Sequence, residues 1–241
     1  MNSGSLRVVE LFDRMVSLFQ GFHPGHTVFM SINNRHFNRL FLTLSLLFLP
    51  VLLIAQDQYT VLFLGDSLTE GLGLQDGESF PSLIENKLLA DDMGHIQVIN
   101  AGISGSTSAS GLSRLQWYIR SRPDLLVLSL GANDGLRGLS VEEMKANLTE
   151  TIDYANTNNL SVVLTGMLIP PNYGPEYTEA FASVFTDLAS DYNIPLMPFL
   201  LQDVAAIPEL NQSDGIHPNV EGTKIVADNL YQFLLPLLPG S

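Results

Sequence analysis

Two residues of this chain, far apart in sequence, are of the types from which a hydrolytic reaction can be built. Ser67 follows the run Val61-Leu62-Phe63-Leu64-Gly65-Asp66, and His217 stands in Asp214-Gly215-Ile216-His217-Pro218. A serine hydroxyl is a weak nucleophile until a base takes its proton, and the base works best when a third group orients it. Asp214 lies three residues before His217, and a turn there can place carboxylate and imidazole side by side. The carboxylate can then hold one ring nitrogen as N–H while the other faces the serine. An Asp-Gly turn with an incidental histidine is the plainer reading of that segment taken alone. His95 opens a strand on the side away from Ser67 and reads as a surface or strand-edge residue. Two further positions offer donors for a developing oxyanion: the Gly102 N–H and the Asn133 amide, each just past a strand. An ordinary turn glycine, and a turn asparagine bonded to local backbone, are the plainer readings of these two.

The elements that position these residues alternate. Tyr59 to Leu64 is an apolar run that stops at Gly-Asp-Ser, as expected of a strand covered on both faces. The pattern predicts further strands at His95–Asn100, Leu125–Leu130, Ser161–Thr165 and Pro195–Phe199. Helices are predicted over Ser79–Asp91, with Ser79 as cap and Pro81 in the first turn, and over about Ala109–Ser121. Others follow from Ser140, in a capping box with Glu143, to about Asn156, and over about Thr178–Tyr192 and Val220–Leu235. Five strand–helix alternations imply a parallel sheet with right-handed crossovers and helices on both faces. Ser67, Gly102 and Asn133 would then share one sheet edge, where such sheets place ligands.

Composition narrows the function. The 241 residues carry a net charge of −14 and are 46% hydrophobic, which suits one domain plus a leader. That charge argues against nucleic-acid binding, which needs clustered Lys and Arg, and against attraction to anionic membrane surfaces. Cysteine is absent, excluding thiol catalysis, disulfides and cysteine metal sites.

The leader is Leu40 to Ile54, fifteen residues without charge, preceded by Arg35 and Arg39 and followed by Ala55. A basic flank, a short apolar core and a small residue describe a secretory signal peptide over residues 30–55. The run is shorter than the roughly 20 residues of a membrane span, so an uncleaved anchor and a buried helix are secondary readings. Residues 1–29 read as a mis-assigned start or a disordered extension, and residues 56–241 as the mature domain, periplasmic or secreted.

Four blocks now stand in order: Gly65-Asp66-Ser67-Leu68, Ala101-Gly102-Ile103-Ser104-Gly105, Gly131-Ala132-Asn133-Asp134 and Asp214-Gly215-Ile216-His217-Pro218. Together they resemble the SGNH, or GDSL, hydrolases over about Tyr59 to Leu235. Gly131–Gly138 and Leu168–Gly174 further resemble the bacterial periplasmic branch of multifunctional acyl-CoA thioesterases, lysophospholipases and arylesterases. The Gly-x-Ser-x-Gly elbow of other α/β hydrolases is not matched, since position 69 is Thr. The resemblance implies a three-layer α/β/α sandwich on a five-stranded parallel sheet, flavodoxin-like in arrangement. It implies Ser67 as nucleophile, His217 as base then acid, and Asp214 as orienter. It further implies an oxyanion hole made by the Ser67 N–H, the Gly102 N–H and the Asn133 side chain. No metal or cofactor is required.

The expected reaction is hydrolysis of an acyl ester or thioester by a monomer that does not stay in a membrane once the leader is removed. Leu72, Leu74, Leu136, Leu168, Ile169, Pro170, Pro171, Tyr173 and Ile216 are expected to line the acyl pocket. A carbohydrate O-acetylesterase on the same fold and a non-catalytic lipid-binding module are the alternatives.

Overall fold

The computed structural model describes residues 58–240; the leader and the N-terminal extension read from the sequence lie outside these residues. Strand β1 spans Tyr59–Gly65 and is buried from Thr60 onward. It is followed by a one-turn helix α1, Ser67–Glu70, and by helix α2, Phe80–Ala90. Next come β2 (Ile96–Gly102), α3 (Gly111–Tyr118) and β3 (Leu125–Ser129), the last wholly buried. A short α4 (Ala132–Leu136) precedes the long α5 (Val141–Thr157). The chain closes with β4 (Ser161–Thr165), α6 (Pro175–Tyr192), β5 (Leu196–Met197) and α7 (Val220–Leu234).

The five strands are parallel, in the order β2-β1-β3-β4-β5. From β1 the chain steps one way to β2, then crosses back to β3 and continues outward. Right-handed crossovers therefore place α2 on one face and α3, α5 and α6 on the other. The packing agrees: α7 lies on α2, α3 on α5, and α5 on α6. The reversal between β1 and β3 is a topological switch point, and ligands bind such sheets at that crevice, beyond the strands' carboxyl ends. The register puts Gly65 opposite both Gly102 and Ser129, so three strands end level there.

Every expected strand and helix is present, with local differences that have physical causes. Helix α6 starts at Pro175, where proline's fixed φ suits a first turn, three residues before the expected Thr178. Ser79 stands at the N-cap of α2 without a side-chain cap bond, because its Oγ is paired with Ser82 Oγ at 3.0 Å and accepts from Asn100 Nδ2 at 3.2 Å. Ser140 caps α5 by accepting the Glu143 N–H at 3.1 Å, but its own hydroxyl donates to Glu142. The helix expected over Ala109–Ser121 is broken into α3 flanked by 3₁₀ turns at Ser108–Ser110 and Ile119–Ser121. Fragments α1 and α4 are additions that the pattern did not announce; each carries one of the candidate site residues.

The turn at the end of β1 is tight. A Cβ on Gly65 would lie 1.9 Å from Thr69 Oγ1, so α1 can fold back over the strand only because position 65 has no side chain.

Candidate active site

Ser67 is the first residue of α1 and is 8% exposed. Its Oγ lies 2.8 Å from His217 Nε2. His217 Nδ1 lies 2.7 Å from Asp214 Oδ2, while the other carboxylate oxygen accepts the N–H groups of Ile216 (2.9 Å) and His217 (3.0 Å). Those backbone donors, more than the imidazole, hold the Asp214 carboxyl down to about 2. A carboxylate so held favours the tautomer with the proton on Nδ1, leaving Nε2 to accept from the serine.

The loop that carries this base is braced against the loop that carries the nucleophile. Gln212 Nε2 donates to Leu72 O at 2.7 Å and to Pro218 O at 3.0 Å. Asn219 caps α7 by accepting from the Glu221 and Gly222 N–H groups. Arg114 straps the ends of β1 and β2, donating to Gly65 O and Ala101 O.

Asn133 sits in α4 with its side chain at the same edge. Its Nδ2 donates to Asp66 Oδ2 at 3.3 Å and its Oδ1 accepts from Arg137 Nη2 at 3.3 Å. Asp66 is 1% exposed, and burial pushes its carboxyl up to about 6 despite the bonds from Leu68 N–H and Asn133 that oppose the shift.

Gly102 is corrected. Its N–H donates to Asn100 Oδ1 at 2.9 Å and is not available to an oxyanion. Glycine is required there for a different reason: a Cβ would lie 2.1 Å from Glu70 N, so α1 packs directly on the end of β2. Gly105, three residues on and in a left-handed conformation (φ 76°), lines the cavity beside Ser67 and Asn133, and its N–H has no acceptor among the described residues. The loop holding it is pinned at several points. Glu70 accepts from Ser104 N–H and Oγ, Arg137 donates to Gly105 O, and buried Asp134 accepts from Ser108 N–H and Oγ.

The serine and imidazole open onto a cavity of about 570 Å³. Leu72, Leu136, Leu168, Ile169, Pro170, Pro171 and Ile216 line it as expected, joined by Met167, Phe199 and Leu201. Two expected residues lie elsewhere. Leu74 faces a separate void of about 10 Å³ beneath the nucleophile turn. Tyr173 turns its hydroxyl to Leu136 O at 2.6 Å and holds a wall of the cavity from behind.

Comparison with known proteins agrees with this geometry. The GDSL-like Lipase/Acylhydrolase family matches residues 63–225. The chain belongs to that family. It is similar to Esterase TesA of Pseudomonas aeruginosa, 39% identical over 180 residues that cover 74% of this chain and 89% of that protein. It is also similar to Thioesterase 1/protease 1/lysophospholipase L1 of Escherichia coli, 35% identical over 74% of this chain and 85% of that protein. Among solved structures it superposes on the psychrotrophic esterase EstA from Pseudoalteromonas sp., inhibited by monoethylphosphonate. That match has a TM-score of 0.71 and 38% identity, covering 74% of this chain and 97% of that one. This GDSL hydrolase shares the family's block order and its five-stranded parallel sheet.

Two outcomes follow from the site. Gly102→Ala should lower the urea midpoint by an amount worth about 1–3 kcal/mol, the usual cost of forcing a methyl into packed surroundings, because the obstructing atom is backbone. Asp214→Asn should lower kcat by up to about 10⁴-fold through the wrong tautomer. Because the Asp214 carboxyl is held near 2, below its ordinary 3.8, its contribution to stability is present above pH 3.8 and lost as pH falls through about 2. Melting curves of the two proteins should therefore converge at the acid end of that window, and a constant gap down to pH 2 would contradict this.

Proposed function

We propose that the protein is a serine hydrolase that cleaves carboxylic esters and thioesters of acyl substrates through an acyl-serine intermediate. One observation carries the reading: the 2.8 Å contact between Ser67 Oγ and His217 Nε2 at the mouth of an apolar cavity. Ser67 Oγ attacks the carbonyl carbon while His217 Nε2 takes its proton. The carbonyl oxygen, now negative, is received by the Ser67 N–H and the Asn133 amide, with the Gly105 N–H in the place first given to Gly102. His217 then gives the proton to the leaving alcohol or thiol. Water, deprotonated by the same imidazole, releases the acid and restores the serine. Asp214 orients the ring throughout.

The cavity favours an acyl chain. Its walls are branched aliphatic and proline side chains with few polar groups to recognise a sugar ring. The names of the relatives, an esterase and a thioesterase with lysophospholipase activity, point the same way. Export supports the same picture: Arg35 and Arg39, the uncharged run Leu40–Ile54 and Ala55 form a secretory leader ahead of the catalytic domain.

Two measurements test the reading. A fluorophosphonate should label the wild type and leave Ser67→Ala unlabelled. A p-nitrophenyl ester series should show turnover on medium chains, whereas activity confined to acetate would favour the carbohydrate esterase and no labelling would favour a binding module. N-terminal sequencing of the exported protein should begin near Gln56, and a start at Met1 would remove the export proposal.

A further inference from the structure

We propose that Arg137 is a positioning residue for the Asn133 amide, holding Asn133 Oδ1 and the Gly105 carbonyl with one guanidinium nitrogen. The inference rests on the acyl-transfer reading and on geometry that reading did not use. Arg137 Nη2 donates to Gly105 O at 2.9 Å and to Asn133 Oδ1 at 3.3 Å. It reaches both because Arg137 follows Asn133 by one helical turn, closing α4 with its own N–H on Asn133 O at 3.2 Å.

An asparagine amide can serve an oxyanion only when its nitrogen faces the substrate. Its two ends have nearly the same shape, so packing alone does not choose between them. Here two opposite charges choose. Asp66 Oδ2 accepts from Nδ2 on one side, and the guanidinium donates to Oδ1 on the other. A flipped amide would face a carboxylate with its oxygen and a guanidinium with its nitrogen, losing both bonds and gaining two repulsions. Asp66 is buried at the base of the nucleophile turn and cannot follow a moving partner. Arg137 stands at the cavity rim and is the side chain that completes the clamp. By also holding Gly105 O it fixes the separation between the two walls that flank the developing charge. A donor held in place beforehand needs no reorganisation during the reaction.

This role predicts a signature that a loss of folding stability or of substrate affinity would not give. With a neutral p-nitrophenyl ester, Arg137→Met should lower kcat about 10-fold and leave KM nearly unchanged, since the interaction it supports forms only in the transition state. In an Asn133→Ala background the same substitution should cost almost nothing further, because residues that act as a unit are not additive. Arg137→Lys should recover part of the loss, since an ammonium reaches one acceptor but lacks the fork that spans two. It also serves as the second probe should Arg137→Met fold poorly, which thermal melting would reveal.

The proposal is overturned if Arg137→Met and Arg137→Lys both turn over like the wild type. It is overturned if the losses multiply in the double variant, or if the effect falls on KM, which would make Arg137 a substrate contact. It falls as well if Asn133→Ala is fully active, for then no amide needs positioning. Failure of the wild type itself to label with fluorophosphonate would instead remove the acyl-transfer reading beneath it.

Discussion

The level ends of three parallel strands are the constraint on which the site depends. Gly65 is opposite Gly102 on one side and Ser129 on the other, so the segments after β1, β2 and β3 leave the sheet at one height. Nothing in the loops has to find the others by long excursions. A strand buried on both faces cannot slip without exposing its side chains wrongly, so Val61 to Leu64 hold this register with the force of the whole core. The level edge delivers the nucleophile turn, the Gly105 loop and α4 to within side-chain reach of one another.

Polar groups then lock what the sheet brings together. Three buried or edge carboxylates divide the labour. Asp66 accepts from Leu68 and Asn133, Asp134 from Ser108, and Glu70 from Ser104, so each holds a different segment of the wall around Ser67. Only Asp214 takes part in proton transfer, and it is the one lying at the surface, with its charge secured by backbone donors. The contrast with Asp66 is instructive. Burial raises the one and backbone N–H groups lower the other, so two aspartates near one serine have opposite proton affinities.

The strands were legible because continuous aliphatic runs ended at turn residues, and the order of the four blocks identified Ser67, His217 and Asp214. What could not be read was which neighbour a backbone group would choose. Gly102 and Gly105 are both glycines after β2, and both could donate an N–H. Asn100, two residues before Gly102, decides the matter through a side-chain bond that no pattern reveals. Helices α1 and α4 were missed because four or five residues show no periodicity; packing against strand ends creates them. Leu74 and Tyr173 sit on loops at the correct edge, but a loop residue has two directions to face. Arg137 and Asp66 stood inside quoted blocks and were passed over because their bonds run sideways to other positioning groups.

The contact between Ser67 and His217 joins positions 150 apart. Bringing them together needs α7 seated on α2, where Tyr231 OH meets Asp91 at 2.5 Å and Lys87 pairs with Asp228. A chain made from its N-terminus therefore carries its reactive hydroxyl through most of synthesis without the imidazole that sharpens it. Until the final helix docks, the serine is an ordinary alcohol, and esters met along the way are safe from it. Chemical competence is thus a late event in the protein's own assembly, and recovery of turnover after denaturation marks the moment the two ends of the domain meet.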